Sequence, residues 1–255
     1  MTVHFIGAGP GAADLLTLRG KDILSRCPIC LYAGSIIPPE MLAFCPPNAR
    51  LVDTAPLNLD QIEQEYVKAH QDNLDIARLH SGDLSVYSTV AEQIRRLKKH
   101  RIDYTLTPGV PAFAAAASVI QKELTVPEIA QTVVLTRTSG RASAMPEKET
   151  LEAYAATGAT LVLHLSIHVI GKIVPRLIPF YGPTCPVVVA VQVSWPQEKI
   201  LRGTLENILE QIKNHPVECT ALIMVGQALQ TDNFRDSALY DPEYQRRFKS
   251  VSPLK

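Results

Sequence analysis

Three glycine-bearing segments carry residue types and spacings suited to ligand chemistry: Gly7-Ala8-Gly9-Pro10-Gly11-Ala12, Ser81-Gly82-Asp83-Leu84-Ser85-Val86-Tyr87-Ser88, and Thr107-Pro108-Gly109-Val110-Pro111-Ala112. Glycine lets backbone approach a ligand closely. Asp83 is a carboxylate at the C-terminal end of a strand, where α/β sheets place ligands; such an Asp also serves as a helix cap. The first segment formally fits GxGxxG/A, the dinucleotide fingerprint. Two details turn it away from phosphate. A dinucleotide loop opens directly into its helix, whereas Asp14-Leu15-Leu16 intervene here before the cap residue Thr17. The acid that would bind ribose is also missing, since the second strand ends Cys30-Leu31-Tyr32-Ala33. A tight turn needs the same glycines for geometry alone.

Other constellations carry less. His164 and His168 stand four apart, a metal spacing on a helix, but the first ends a strand and no HExxH glutamate stands beside it; they read as structural or substrate-facing, with no metal expected. Cys27 and Cys30 form one CxxC without a second pair, so they read as ordinary buried thiols. Trp195, the only tryptophan, is expected to pack at a lobe or subunit interface ahead of stacking on substrate.

The elements that must position these residues alternate. Strands are expected at Val3–Ile6, Ile29–Ala33, Asp75–Leu79, Tyr104–Thr107, Thr132–Thr136, Thr160–His164, Val187–Val191, Ile200–Gly203 and Thr220–Val225. Helices are expected from Thr17 through Arg26, and over Asp60–Gln71, Val86–His100 and Leu205–Asn214. Short unalternating apolar strands separated by helices predict an α/β fold with mainly parallel sheets. The strands fall into two groups joined by Lys122–Pro127, which predicts two lobes, 1–121 and 122–255. The polar tail Phe234–Lys255 is expected to be peripheral.

Composition sets bounds. The chain has 255 residues, 46% hydrophobic, and 25 basic against 25 acidic side chains. Zero formal charge argues against a general nucleic-acid binder. No apolar run approaches the roughly 18 residues of a membrane span, and Met1–Gly11 lacks a basic region before an apolar core. Five cysteines in a chain of this length predict no disulfide framework. A soluble, cytoplasmic protein is expected.

In order and spacing together, GAGPGAADLLTLRG, SGDLSVYS and TPGVPAFAAAAS resemble the class III tetrapyrrole methylases, which use S-adenosylmethionine. The family's second loop reads GDPxxYG; Leu84 replaces its Pro and Ser88 its last Gly. TLVLHLS, SWPQEKILRGTL and TALIMVGQAL also match, so the resemblance covers about residues 1–230. It implies two αβα lobes with the cofactor in the cleft between them, and a homodimer. By position, it implies cofactor contacts at Pro10, Ser81, Gly82, Asp83, Val86, Pro111, Ala112, Leu165, Val193, Thr220 and Ala221.

Within the family, Leu31–Leu42 (LYAGSIIPPEML) resembles the signature of precorrin-4 C11-methyltransferases, cobalt-precorrin counterparts included. Uroporphyrinogen methylases carry YD where this chain has Tyr32-Ala33. Thr136–Ala142 (TRTSGRA) is similar to the same C11 group. The implied substrate is a tetrapyrrole with many peripheral carboxylates, and Arg137 and Arg141 are the candidates to bind them. The implied reaction moves a methyl from sulfonium sulfur to ring carbon C11 and requires no covalent enzyme intermediate; no general base is identified. Open alternatives are the cobalt-bearing substrate, methylation at another ring carbon, and a nucleotide-binding regulatory protein using the first glycine loop.

Overall fold

The computed structural model describes residues 1–139, 144–217, 219–230, 232 and 234–237. Arg141 and the tail from residue 238 onward lie outside the described residues. The chain divides into two compact units. The first comprises Met1–Ile120 and Ala190–Ile200; the second comprises Gln121–Val189 and Leu201–Lys255. No helix among the described residues is long and apolar enough to cross a membrane.

In chain order the elements are β1 (Thr2–Gly7), α1 (Leu18–Leu24), β2 (Ile29–Tyr32), α2 (Pro39–Leu42), β3 (Arg50–Asp53), α3 (Leu59–Gln71), β4 (Ile76–His80), α4 (Val90–Lys99), β5 (Asp103–Thr107) and α5 (Ala112–Ile120). They continue with β6 (Val133–Arg137), α6 (Leu151–Ala155), β7 (Thr160–His164), α7 (Ile170–Tyr181), β8 (Pro186–Val191), β9 (Lys199–Thr204), α8 (Ile208–Asn214) and β10 (Ala221–Val225). The first sheet runs β3-β2-β4-β1-β5, with parallel pairing throughout. The second runs β6-β7-β10-β8-β9.

Alternation on buried strands explains the layers. Val3, Phe5, Ile29, Leu31 and Ile76 pack into one cluster with Ile62, Tyr66 and Ala69 of α3 and Leu97 of α4. Their neighbours in sequence, Ile6, Cys30, Ala77 and Leu79, face the opposite cluster with Ile23 and Leu24 of α1 and Met41 of α2. The sheet is thus covered on both faces, as apolar parallel strands require. Thr17 caps α1 by accepting the Gly20 N–H at 3.1 Å. Asn58 and Gln61 close a reciprocal capping box on α3. Cys27 and Cys30 are buried free thiols, and burial pushes the Cys27 pKa up to about 12.

Three expectations need correction. β3 was not expected: Arg-Leu-Val-Asp offers two apolar residues, and it is a largely exposed edge strand. α4 starts at Val90, because Tyr87 and Thr89 adopt left-handed backbone (φ 53° and 56°). α8 starts at Ile208, after a turn in which Asn207 Oδ1 accepts the Thr204 N–H at 2.8 Å. The expected mainly parallel pairing holds, with an antiparallel pair in the second sheet: β6 pairs parallel with β7, and β10 pairs antiparallel with it.

One buried polar set holds the segment that follows β4. Arg78 and His80 lie on the same face of this central strand, 6% and 7% exposed. Arg78 donates to Thr54 Oγ1 at 2.8 Å and to Gln93 Oε1 at 3.1 Å, and Tyr66 OH donates to the same Gln93 oxygen at 2.5 Å. Gln93 Nε2 in turn donates to Thr89 O at 3.1 Å. His80 Nδ1 lies 2.8 Å from Ser88 O, which only accepts, so the proton sits on Nδ1. The neutral groups around Arg78 and the bonds to Ser88 and Thr89 fix the left-handed turn.

Burial drives the His80 pKa down to about 3, with the Arg78 charge adding to the effect, and drives that of His164 down to about 4. Below pH about 6.5 the unfolded chain takes up protons that the folded chain refuses, so stability falls as pH falls through that window. Each histidine contributes about 1.4 kcal/mol per pH unit. Thermal unfolding of His80→Asn, whose amide can keep the Ser88 bond, is expected to show a shallower loss between pH 6.5 and 4.5 than the parent chain. An unchanged slope would assign the acid sensitivity elsewhere.

Candidate functional site

The three glycine loops meet backbone to backbone in the first unit. Ala8 N–H donates to His80 O at 2.8 Å; Gly9 and Gly82 exchange bonds, N–H to O, at 3.1 and 2.7 Å. Both residues have left-handed backbone, φ 79° and 70°. A Cβ on Gly7 would lie 2.7 Å from Gly109 Cα and 2.9 Å from Gly82 O. A Cβ on Gly109 would strike Gly82 O and lie 2.6 Å from the carbonyl carbon of Gly7. Gly7 and Gly109 therefore need glycine because three segments cross where no side chain fits, and Gly82 needs it for its left-handed backbone.

Asp83 locks this crossing. Its Oδ2 accepts the Gly109 N–H at 2.8 Å, and its Oδ1 accepts the Ser85 N–H at 2.9 Å and the Ser85 hydroxyl. Burial raises its pKa, but the donors from Ser85, Gly109 and Leu84 outweigh it and hold the carboxyl below the ordinary aspartate value. Asp83 thus stays anionic at neutral pH. Pro10, Ser81, Gly82, Asp83, Val86, Pro111 and Ala112 all sit on these three loops. The structure brings together the segments bearing the expected contacts of the first unit.

The fourth partner is the segment around Val193. Ser194 Oγ accepts the Ala12 N–H at 2.9 Å, and the Trp195 indole N–H donates to Pro10 O at 2.9 Å. Gly11 has no room for a side chain because the indole lies over it, Cγ 3.0 Å from where a Cβ would stand. Gln192 and Ser194, on either side of buried Val193, both have positive φ (43° and 67°). A bond from Ser194 N–H to Glu198 Oε2 at 2.7 Å supports the turn. Trp195 therefore packs on the first glycine loop.

Leu165, Thr220 and Ala221 belong to the second unit. The antiparallel register that sets Ile223 against Leu163 carries Ala221 toward Leu165 at one end of β7 and β10. Leu165 and Thr220 are left-handed (φ 52° and 51°), and Leu165 is 64% exposed. Arg137 ends β6 opposite His164 in the same sheet. It donates to Thr138 O at 3.2 Å and Ala144 O at 3.3 Å. Buried Ser166 ties this end together, accepting the Thr138 N–H at 3.0 Å and donating to His164 O at 2.7 Å. His164 ends β7 and His168 sits in a 3₁₀ turn, so the two do not share a helix face.

The Leu31–Leu42 segment is held by a residue that sequence reasoning missed. Asp53, at the end of β3, accepts the Gly34 N–H at 2.9 Å and the Ala55 N–H at 2.8 Å. Those backbone donors lower its pKa. Its carboxylate crowds the place of a Gly34 Cβ, at 2.6 Å from Oδ2. Also missed were the Ser194–Trp195 clamp and the Arg78–His80 set. Two polar residues two apart in the apolar run Ile76-Ala77-Arg78-Leu79-His80 were the available signal for the last of these.

Gly109→Ala is expected to cost about 1–3 kcal/mol, the usual penalty of overpacking a filled site. Gly171→Ala, in α7 with nothing within 4 Å of the added carbon, should instead gain about 0.5–1 kcal/mol from helix propensity. Urea denaturation of the two variants checks the contrast; equal midpoints would mean that the loop crossing yields easily.

Comparison with known proteins places this arrangement. Residues 2–209 match the family model for Tetrapyrrole (Corrin/Porphyrin) Methylases. The chain is 63% identical over 249 residues to a precorrin-4 C(11)-methyltransferase of Sinorhizobium sp, covering 98% of each chain. It is 52% identical to a precorrin-4 C(11)-methyltransferase of Mycobacterium tuberculosis (strain CDC 1551 / Oshkosh), covering 97% of this chain and 99% of that one. Among solved structures, a cobalamin biosynthetic enzyme, cobalt precorrin-4 methyltransferase, superposes with a TM-score of 0.87 at 33% identity, covering 90% of this chain and 96% of that one. With the glycine loops, the anionic Asp83 and a match over most of its length, the chain belongs to the tetrapyrrole (corrin/porphyrin) methylase family.

Proposed function

We propose that the chain transfers a methyl group from S-adenosylmethionine to C11 of precorrin-4, in the making of the cobalamin ring. The relative at 63% identity over nearly the whole length of both chains carries this reading. The metal-free substrate is preferred over the cobalt-bearing one because the cobalt precorrin-4 enzyme of known structure is 33% identical. Ala33, where uroporphyrinogen methylases carry Asp, favours C11 methylation over theirs.

The first unit's residues fit S-adenosylmethionine. Between Gly11 and the Thr17 cap runs a 3₁₀ turn, Ala13–Leu15, so no helix start opens onto the loop to take a pyrophosphate. The Asp83 carboxylate, held ionised by its donors, suits a ligand that is phosphate-free and carries cationic groups. When bound, S-adenosylmethionine supplies a methyl group already activated on sulfonium sulfur. The protein's share is placement and exclusion of water. Gly82 gives backbone access, Asp83 supplies fixed negative charge, and Pro10, Ser81, Val86, Pro111, Ala112 and Val193 shape the surroundings. Leu165, Thr220 and Ala221 are the proposed contributions of the second unit, and Arg137 is the proposed partner of substrate carboxylates. We also read the enzyme as a cytoplasmic homodimer. Edge strand β5 leaves Leu106 47% exposed and α5 leaves Val119 37% exposed, an apolar margin suited to a second copy.

Incubation with precorrin-4 and methyl-labelled S-adenosylmethionine is expected to yield product whose new carbon resonance lies at C11. Label at another ring carbon would reassign the substrate. Calorimetry should give heat with S-adenosylhomocysteine and none with NAD, and the reverse would sink the reading.

Asp83→Ala should weaken S-adenosylhomocysteine binding by about 1.5–3 kcal/mol, the range for a hydrogen bond to a charged group. Arg137→Lys, which keeps the charge but loses the planar fork, should raise the tetrapyrrole KM and leave S-adenosylhomocysteine affinity unchanged. Unchanged constants in either variant would remove that residue from its proposed role.

A further inference from the structure

Three of the five cysteines meet on one side of the first sheet. Cys27 precedes β2, Cys30 lies within it, and Cys45 follows α2. Cys27 and Cys30 are buried in a cluster with Ile23, Met41 and Leu79, and half-buried Cys45 packs against it. The Cys30 and Cys45 thiols are hydrogen-bonded to each other, Cys30 S–H donating to the Cys45 sulfur. None of the three is among the cofactor or substrate contacts proposed above.

The pair has the asymmetry of an oxidisable thiol and its resolving partner. Solvent reaches Cys45, whereas Cys30 is 0% exposed. The bond from Cys30 lowers the Cys45 pKa and outweighs the opposing effect of burial. The same bond, with burial adding to it, raises the pKa of Cys30. Negative charge therefore collects on the sulfur that solvent reaches, and the proton stays on the enclosed one. Burial keeps Cys27 protonated.

Position gives the pair its consequence. Cys30 and Cys45 bracket the Leu31–Leu42 segment. Cys30 is held on both sides, because β2 pairs with β3 and with β4. Cys45 sits on a turn, its N–H bonded to Leu42 O at 3.0 Å. A disulfide needs its sulfurs about 2.05 Å apart, far closer than a thiol hydrogen bond, so the Cys45 turn must move toward β2. Ile37 and Met41 of the same cluster are already closely packed, at 2% and 0% exposed. The shift is therefore passed on to the segment that carries them.

We propose that Cys45 is an oxidation site for peroxides and that Cys30 resolves it to a disulfide closing the loop around Leu31–Leu42. The Cys45 thiolate attacks the O–O bond of hydrogen peroxide, giving Cys45 sulfenic acid and hydroxide, which takes a proton from solvent. The Cys30 sulfur then attacks the Cys45 sulfur. The S–O bond breaks, and the hydroxyl leaves as water with the Cys30 proton. The peroxide accepts two electrons, two thiols become one disulfide, and a dithiol such as dithiothreitol reverses the change. The oxidation site stands apart from the identity of the substrate; its effect on turnover rests on the reading of the chain as a tetrapyrrole methylase.

The test uses the full chain, reduced and then exposed to hydrogen peroxide. Free thiols are blocked with N-ethylmaleimide in denaturant, and the protein is digested without reductant by trypsin and Glu-C, which cuts after Glu40 and so separates Cys30 from Cys45. Mass spectrometry is expected to find the two peptides joined with the loss of two hydrogens and with maleimide on Cys27. In Cys30→Ala, which lacks the resolving thiol, dimedone should label Cys45 ahead of Cys219, an exposed thiol of the second unit. Methyl transfer to the tetrapyrrole should be lost as the link forms and return with dithiothreitol. Peroxide-treated Cys45→Ser should form no link and lose no activity, and S-adenosylhomocysteine affinity should be the same in reduced and oxidised enzyme. A link through Cys27, or Cys45 left free while Cys219 oxidises, would overturn the site. A disulfide that forms with methylation unchanged would overturn its effect on the segment. Reduced enzyme that methylates no tetrapyrrole would instead overturn the functional reading and leave the mapped disulfide standing.

Discussion

The first unit is organised around a crossing of three segments at Gly7, Gly82 and Gly109, where Gly7 and Gly109 lie closer to their neighbours than any side chain permits. Everything proposed for cofactor binding there hangs from it. The crossing brings the ends of β1, β4 and β5 to one point, and β4-β1-β5 are neighbours in the sheet, so the strands deliver the loops without long excursions. Asp83 then joins the second loop to the third through Gly109 N–H. A carboxylate placed by sequence as a ligand group is also an internal tie. Its negative charge is stabilised by the Ser85 hydroxyl and by backbone donors, and requires no bound cation to persist.

The core beneath serves the same end by different chemistry. An arginine buried among neutral acceptors is costly in isolation, and here its bonds are shared out to Thr54 and Gln93, with Gln93 passing the constraint to Thr89. His80, kept neutral by burial, holds Ser88. The turn between the Asp83 loop and α4 thereby keeps Tyr87 and Thr89 in backbone conformations that ordinary residues avoid. Strain near the site is balanced by polar bonds in the core.

How much of this was legible in the sequence follows from the kind of signal. Buried strands announce themselves as apolar runs: Ile76–His80 and Pro186–Val191 were read to within a residue, despite the arginine and histidine in the first. The edge strand Arg50–Asp53 carries no such run and was missed, although its last residue holds Gly34. The α4 start was placed four residues early because Val86 continues the helical apolar spacing, and spacing does not register a left-handed Tyr87. Loop order and spacing revealed the family, since Gly7 and Gly109 leave no room for a side chain and Gly82 is left-handed. The Trp195–Pro10 bond spans 185 positions, beyond what local pattern reading can register.

The exchanged bonds of Gly9 and Gly82, the Gly109–Asp83 bond and the Ser194–Ala12 bond bear on dynamics as well as shape. Segments cross-bonded in this way do not open singly: freeing one leaves donors and acceptors of the others unmet. The four segments are consequently expected to open as one unit. A ligand that binds any one of them raises the protection of all four, so occupancy of the loops by one substrate lowers the ordering cost left for the next.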